Sequence, residues 1–226
     1  MSFCIDTWVK DYQQAVQSRF DGRIWFIGLQ GSYGRGEATE QSDIDVVLIL
    51  DQVSADDLQE YSALLCTLPN REKVCGFISG KEELIDWEPS DLFQFCYDTT
   101  PVVGSLTMLM QRIRREDIRR AVHIGACNVY HMCAHNLVHE KSADILRELY
   151  KSAVFTLQAI AFLQSGVYEK QKAALQSRLR PEDRCILEAS MELKERKTIS
   201  NEDLSNYSAR LLEWASKWIR QGKEDI

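Results

Sequence analysis

Two apolar runs, Arg23 to Gln30 (RIWFIGLQ) and Asp43 to Leu50 (DIDVVLIL), flank a polar stretch that carries Gly31, Gly34 and Gly36. Each run has the length of a strand and is rich in β-branched or aromatic residues. Neither alternates cleanly between apolar and polar, so both read as strands buried on two faces. Two such strands joined by a glycine-rich loop require a sheet, and the rest of the chain must cover it.

Apolar spacing over residues 3–20 (Phe3, Trp8, Val9, Tyr12, Val16, Phe20) predicts a helix ahead of the first strand, closed by Asp21-Gly22. The stretch from Gly31 to Glu40 reads as a loop or short helix. Ser54-Ala-Asp-Asp caps a helix that runs to about Leu68 and ends at Pro69-Asn70. Lys73 to Ser79 predicts a third strand, Lys81 to Trp87 a short helix, and Pro89-Ser90-Asp91 the start of another. From about Ser105 strand signals stop. Amphipathic helices are predicted near 106–121, 122–140, 142–165, 169–178, 181–195 and 201–221. The expected organisation is α+β: a mixed sheet with flanking helices over 1–104, followed by an all-α helical bundle over 105–226.

Charge follows the same division. Residues 1–104 hold 7 Lys or Arg against 18 Asp or Glu, whereas residues 105–226 hold 20 against 16. So acidic a front half repels phosphate backbones and argues against non-specific nucleic-acid binding, while it attracts cationic molecules. No apolar stretch is long enough for a membrane helix, and no signal peptide is recognisable at the start. Seven cysteines without a CxxC pair fit reduced thiols in a cytoplasmic protein.

The chemistry concentrates between Gly28 and Leu50. Glycine after a buried strand lets backbone approach a ligand, and N–H groups at a helix start face an anion. Ser32 adds a hydroxyl and Arg35 a guanidinium fork suited to phosphate. Side chains alternate along a strand, so Asp43 and Asp45 share one face while Ile44 points to the core. Two adjacent carboxylates repel one another unless a cation lies between them, and hard oxygen ligands favour magnesium with substrate phosphates.

Gly31-Ser32-x-x-Arg35-Gly36 followed by Ser42-Asp43-Ile44-Asp45 resembles the motif of the nucleotidyltransferase superfamily that includes DNA polymerase beta. In form it looks most like kanamycin-type aminoglycoside nucleotidyltransferases and their uncharacterised bacterial relatives. The resemblance implies that Gly31, Ser32 and Arg35 bind the triphosphate of ATP or another NTP and that Asp43 and Asp45 hold Mg2+. It implies transfer of an NMP to a hydroxyl of a small, aminoglycoside-like acceptor, and a homodimer. A protein acceptor, as in toxin–antitoxin adenylylating enzymes, and a nucleotide-binding protein without turnover are the alternatives. The chain departs from the pattern on its third strand, where many members carry another carboxylate and this one reads Val74-Cys75-Gly76-Phe77. Asp91 and Asp98 are other acids in reach of the sequence, though spacing selects neither.

All four histidines fall within 123–139, and His131, His135 and His139 are spaced i, i+4, i+8. Three readings stay open. The resemblance puts a general base on this helix, which makes His131 or His135 its holder. Two histidines one turn apart can also chelate zinc. In the third reading the imidazoles serve packing or solvation alone. Arg112, Arg114, Arg115, Arg119 and Arg120 read as a solvated helix face.

Overall fold

A computed structural model describes residues 3–221. It begins with helix α1 (Ile5–Phe20), strand β1 (Ile24–Leu29), the five-residue helix α2 (Gly31–Arg35) and strand β2 (Ile44–Leu50). Helix α3 (Ala55–Leu65), strand β3 (Val74–Gly80), helices α4 (Lys81–Ile85) and α5 (Pro89–Asp98), and strand β4 (Thr100–Val103) follow. The remainder is helical: α6 (Thr107–Met110), α7 (Arg115–His135), α8 (Ala143–Ser165), α9 (Lys172–Arg178), α10 (Pro181–Glu195) and α11 (Asn201–Gln221). The α+β class and the helical second half agree with the sequence reading.

The chain divides into two compact units, Met1–Glu88 with Phe95–Arg112, and Pro89–Gln94 with Ile113–Ile226. In the first, a four-stranded sheet runs in the order β3-β2-β1-β4. β1 is antiparallel to both β2 and β4, and β2 is parallel to β3. Trp8, Tyr12, Val16 and Phe20 form the buried stripe of α1. They pack with Ile27, Ile44, Val46, Leu48 and Leu50 of the sheet and with Tyr61 and Leu65 of α3. The spacing of those four α1 residues is one helical face, which is why a single helix covers so much of the sheet. Tyr12 and Tyr61 share a hydroxyl–hydroxyl hydrogen bond of 2.8 Å inside this layer, so each buried phenol has a partner.

α3 starts where the sequence placed its cap. The Ser54 hydroxyl accepts from Asp57 N–H, and the Asp57 carboxylate accepts from Ser54 N–H at 2.8 Å. The same carboxylate takes Arg23 Nη1 at 2.6 Å, so the cap also ties α3 to the start of β1.

In the second unit α8 is the central helix, with twelve buried positions, and it packs against α7 and α10. Two expectations change here. The break between 121 and 122 does not exist: α7 runs unbroken, because Ile118, Val122, Ala126, Val129 and Cys133 form one continuous buried stripe with no proline to interrupt it. It then passes into a π-helical turn, Asn136–Glu140. In the first unit, β4 is a strand that the sequence reading left out, because a four-residue edge segment containing Pro101 has almost no local signature.

Candidate active site

β1 ends at Leu29, and the chain turns through Gln30 into α2. Gln30 N–H donates to the Asp45 carbonyl at 2.8 Å, which extends the β1–β2 ladder to the edge of the loop. Gly31 follows with φ of +61°, a left-handed conformation that costs a side-chain-bearing residue. A Cβ on Gly31 would overlap the Asp45 carboxylate. Glycine is therefore required twice at this position, once for the turn and once for the approach of Asp45 to the loop.

The other sequence-predicted residues of the first unit lie on the two elements that make that contact or just beside them. Ile44 is fully buried, Asp45 is half-buried and Asp43 is exposed just ahead of β2, so the two carboxylates flank a core residue. Ser32 is half-buried in the first turn of α2, and its carbonyl accepts Glu37 N–H at 2.8 Å. No side-chain cap closes the start of α2 at Gln30.

Arg35 has a partner that the sequence did not reveal. Its Nη1 donates to Asp98 Oδ2 at 2.8 Å, and its Nε lies 3.7 Å from Glu37 Oε2. The Arg35 and Asp98 side chains are 15% and 7% exposed, so this pair is far less screened than a surface bridge. Asp98 belongs to a larger latch. Thr100 Oγ1 donates to the Gly34 carbonyl at 2.8 Å, and Gln30 Nε2 donates to Thr99 Oγ1 at 2.8 Å. Gly34 leaves no room for a side chain, since its Cβ would press on the Leu29 carbonyl. The segment 98–100 thus holds the glycine loop at three points. Arg35 and Asp98 are 63 residues apart, and no local signal could have paired them.

The third strand keeps its departure from the motif. In the parallel register Cys75 lies opposite Asp45, and Gly76 lies opposite Val46. Gly76 has φ of +140°, and a Cβ there would overlap the Val46 backbone. Cys75 is exposed, and Phe77 packs against Trp87 and Phe95. Among the described residues no three His, Cys, Asp or Glu side chains converge closely enough to hold a metal. Of the two acids considered for the missing carboxylate, Asp98 faces Arg35, and Asp91 lies on the part of α5 that belongs to the second unit.

His131 and His135 also lie in the second unit, exposed on α7. The first unit therefore holds Gly31, Ser32, Arg35, Asp43 and Asp45 on one run from α2 into β2, with Gly31 against Asp45, and the histidines are not among them. Among the described residues no helix is long and apolar enough to cross a membrane.

Comparison with known proteins matches residues 9–99 to the family model described as a nucleotidyltransferase domain. Two curated relatives from Methanocaldococcus jannaschii align over shorter stretches. The candidate protein adenylyltransferase MJ0604 is 46% identical over 43 residues, which is 19% of this chain and 43% of that protein. The candidate protein adenylyltransferase MJ1379 is 41% identical over 54 residues, 24% of this chain and 51% of that protein. The chain thus spans about half the length of the curated relatives it matches. Among solved structures, spectinomycin adenyltransferase AAD(9) from Enterococcus faecialis, determined with ATP and spectinomycin, superposes with a TM-score of 0.57. That match covers 91% of this chain and 98% of the other at 14% identity, a likeness of fold. The family match thus lies over most of α1, strands β1 to β3 and the glycine loop, so residues 9–99 match a nucleotidyltransferase domain, and the likeness along the rest of the chain is one of fold.

Proposed function

We propose that this protein transfers an NMP, with AMP as the expected group, from an NTP to an acceptor hydroxyl. One observation carries the reading: the Asp45 carboxylate is packed directly against the bare backbone of Gly31, where a glycine loop turns into a helix. That arrangement sets an acid beside N–H groups able to receive phosphate oxygens.

The donor set fits magnesium. Asp43 and Asp45 offer hard oxygens on one strand face, and magnesium is commonly held by one or two carboxylates together with substrate phosphates and water. When bound there, Mg2+ would neutralise charge developing on the transferred phosphoryl group. Ser32 and the first N–H groups of α2 bind the triphosphate in this reading. Arg35, oriented by Asp98, adds a fixed cation beside them. The acceptor hydroxyl loses its proton to a base, for which the family resemblance supports His131 or His135. Its oxygen then attacks the α-phosphorus in line, the new P–O bond forms as the bond to the bridging oxygen breaks, and pyrophosphate leaves. Rate enhancement comes mainly from positioning and electrostatic stabilisation.

For the acceptor, the acidic front half supports a small cationic alcohol of aminoglycoside type. A second reading, a protein acceptor, is favoured by the names of the two archaeal relatives that match the motif region. Binding without turnover is favoured by Cys75 standing opposite Asp45 on a strand with no acid. The family resemblance also supports a homodimer, which sedimentation would check, and the seven unpatterned cysteines support a cytoplasmic protein.

The deciding experiment is pyrophosphate release from each of the four NTPs with Mg2+. It is run alone, with pooled aminoglycosides and with pooled cell protein, beside an Asp43→Ala/Asp45→Ala control. Release that requires a small alcohol and vanishes in the control supports the proposal. Label appearing in a protein band moves the acceptor to the second reading. Intact Mg2+-dependent NTP binding with no release under any condition removes the transferase and leaves the binding protein.

A further inference from the structure

The end of α7 contains a helix defect, and it falls between two histidines. His135 closes the regular α-helix, and the next five residues, Asn136–Glu140, form a π-helical turn. That turn is closed by Lys141 N–H donating to the Asn136 carbonyl at 2.7 Å, with Lys141 in a left-handed conformation at φ of +50°. Both features cost free energy relative to a continuous helix, and π-turns recur at functional positions.

The turn is also held firmly. Asn136 is fully buried, and its side chain makes two hydrogen bonds to the Ser142 backbone. Asn136 Nδ2 donates to the Ser142 carbonyl at 3.0 Å, and Ser142 N–H donates to Asn136 Oδ1 at 3.0 Å. A buried amide satisfied in this way fixes where the flanking residues sit.

What the turn places is His139 beside His135. Their ring centroids are 4.7 Å apart, with the planes inclined at 47°. His131 and His135 are spaced identically in sequence but lie on regular α-helix, and their centroids are 6.5 Å apart. Two ring nitrogens, each about 2.0–2.1 Å from a shared tetrahedral zinc ion, put their centroids roughly 5 Å apart. The π-turn pair stands near that separation at 4.7 Å, whereas the α-helical pair at 6.5 Å must first turn its rings together. Both rings of the closer pair are exposed, so a hydrated ion reaches them without rearrangement.

We propose that His135 and His139 form a two-imidazole clamp for a borderline divalent transition-metal ion, Zn2+ being the one to test. No third ligating side chain converges on them among the described residues, so water fills the remaining positions. The clamp differs in donor chemistry from the carboxylate pair Asp43 and Asp45, whose oxygens suit a harder ion. With His135 engaged by metal, the base role proposed above would pass to His131. The clamp itself does not depend on the transferase reading.

The test is a ZnCl2 titration of the full-length, 15N-labelled protein with its accessible thiols alkylated, followed through the imidazole nitrogens by NMR. The expected result is that the His135 and His139 ring nitrogens shift together at one equivalent, while His131 and His123 stay in place. By calorimetry, His135→Ala and His139→Ala each weaken Zn2+ binding by about tenfold or more, and His131→Ala changes it by less than about twofold. These positions are exposed, so unchanged circular dichroism verifies that the variants fold. The proposal is overturned if no imidazole responds at one equivalent, or if His131 and His135 shift together while His139 does not.

Discussion

Asp45 and Asp183 are both carboxylates set into packed structure, and the two units treat them in opposite ways. Asp183 is fully buried in the first turn of α10. Its Oδ1 accepts both Trp214 Nε1 at 2.9 Å and Trp218 Nε1 at 3.0 Å, from successive turns of α11. Asp45 instead remains half-exposed at the head of β2, pressed against a residue that has no side chain. An acid enclosed by indole donors fixes the packing of two helices. One left half-exposed beside a glycine loop stands where a ligand can reach it. Burial and partner type, more than residue identity, separate a structural carboxylate from a chemical one.

That contrast breaks if changes in the loop act through stability, or if changes at the helix seam act on nucleotide handling. The largest effect is expected at the loop. Asp45→Asn should lower acceptor-dependent pyrophosphate release by about 100- to 1000-fold while thermal unfolding stays within a few degrees of wild type. Gly31→Ala should come close to it in activity, since its methyl group meets the Asp45 carboxylate. A large fall in melting temperature in Asp45→Asn would make that acid structural after all, whereas Gly31→Ala also carries the strain of its left-handed backbone.

Next in size is the seam. Asp183→Ala leaves two buried indole N–H groups unsatisfied and should cost about 3 kcal/mol of stability, read from chemical unfolding. Asp183→Asn keeps an acceptor and should cost clearly less. NTP affinity of the folded protein should be unchanged in both, and a shift in it would dissolve the contrast.

A smaller and more selective effect is expected at the latch. Asp98→Asn keeps an acceptor for Arg35 but removes the charge that orients it. The expected result is an NTP KM raised about tenfold with kcat nearly preserved. A fall in kcat at constant KM would instead place Asp98 on the chemical step.

The smallest effect is a pH dependence in the first unit. Hydrogen bonding from the Arg23 guanidinium, with help from Ser54, holds the Asp57 carboxyl below the usual carboxylate range. A folded-state pKa below the unfolded one means that the stabilisation is present above about pH 4 and is lost as pH falls below that value. Urea midpoints measured from pH 7 to pH 3 should therefore fall, and fall less in Asp57→Asn. The Arg23 side chain is 37% exposed, so solvent screening keeps the difference modest. Equal slopes for the two proteins would remove the pair from the account.

The elements legible in the sequence were those whose signal is contained within them. α1 shows its four buried residues at helical spacing, and β2 shows five consecutive buried apolar positions. The Ser54 cap announces α3, and Gly31, Ser32, Asp43 and Asp45 declare themselves through residue type and spacing. β4 was not legible, because Thr100–Val103 becomes a strand only through pairing with β1. Asp98 was visible as an acid, but its role was not, since its partner lies on α2. The histidine stripe was visible as a spacing of four. Only the structure distinguishes its 4.7 Å pair, which spans the π-turn, from its 6.5 Å pair on regular helix.

By itself, then, the sequence determined the α+β class, the helical second half and the strand–glycine loop–strand motif with its two aspartates. Periodicity, capping and glycine placement are local properties, written within a few residues of where they act. Only the tertiary structure decided that Asp98 holds Arg35, that Gly31 lies against Asp45, that Asp183 joins α10 to α11 and that His139 leans on His135. Each depends on the relative placement of separate elements or on a backbone defect, which long-range packing selects and composition does not encode.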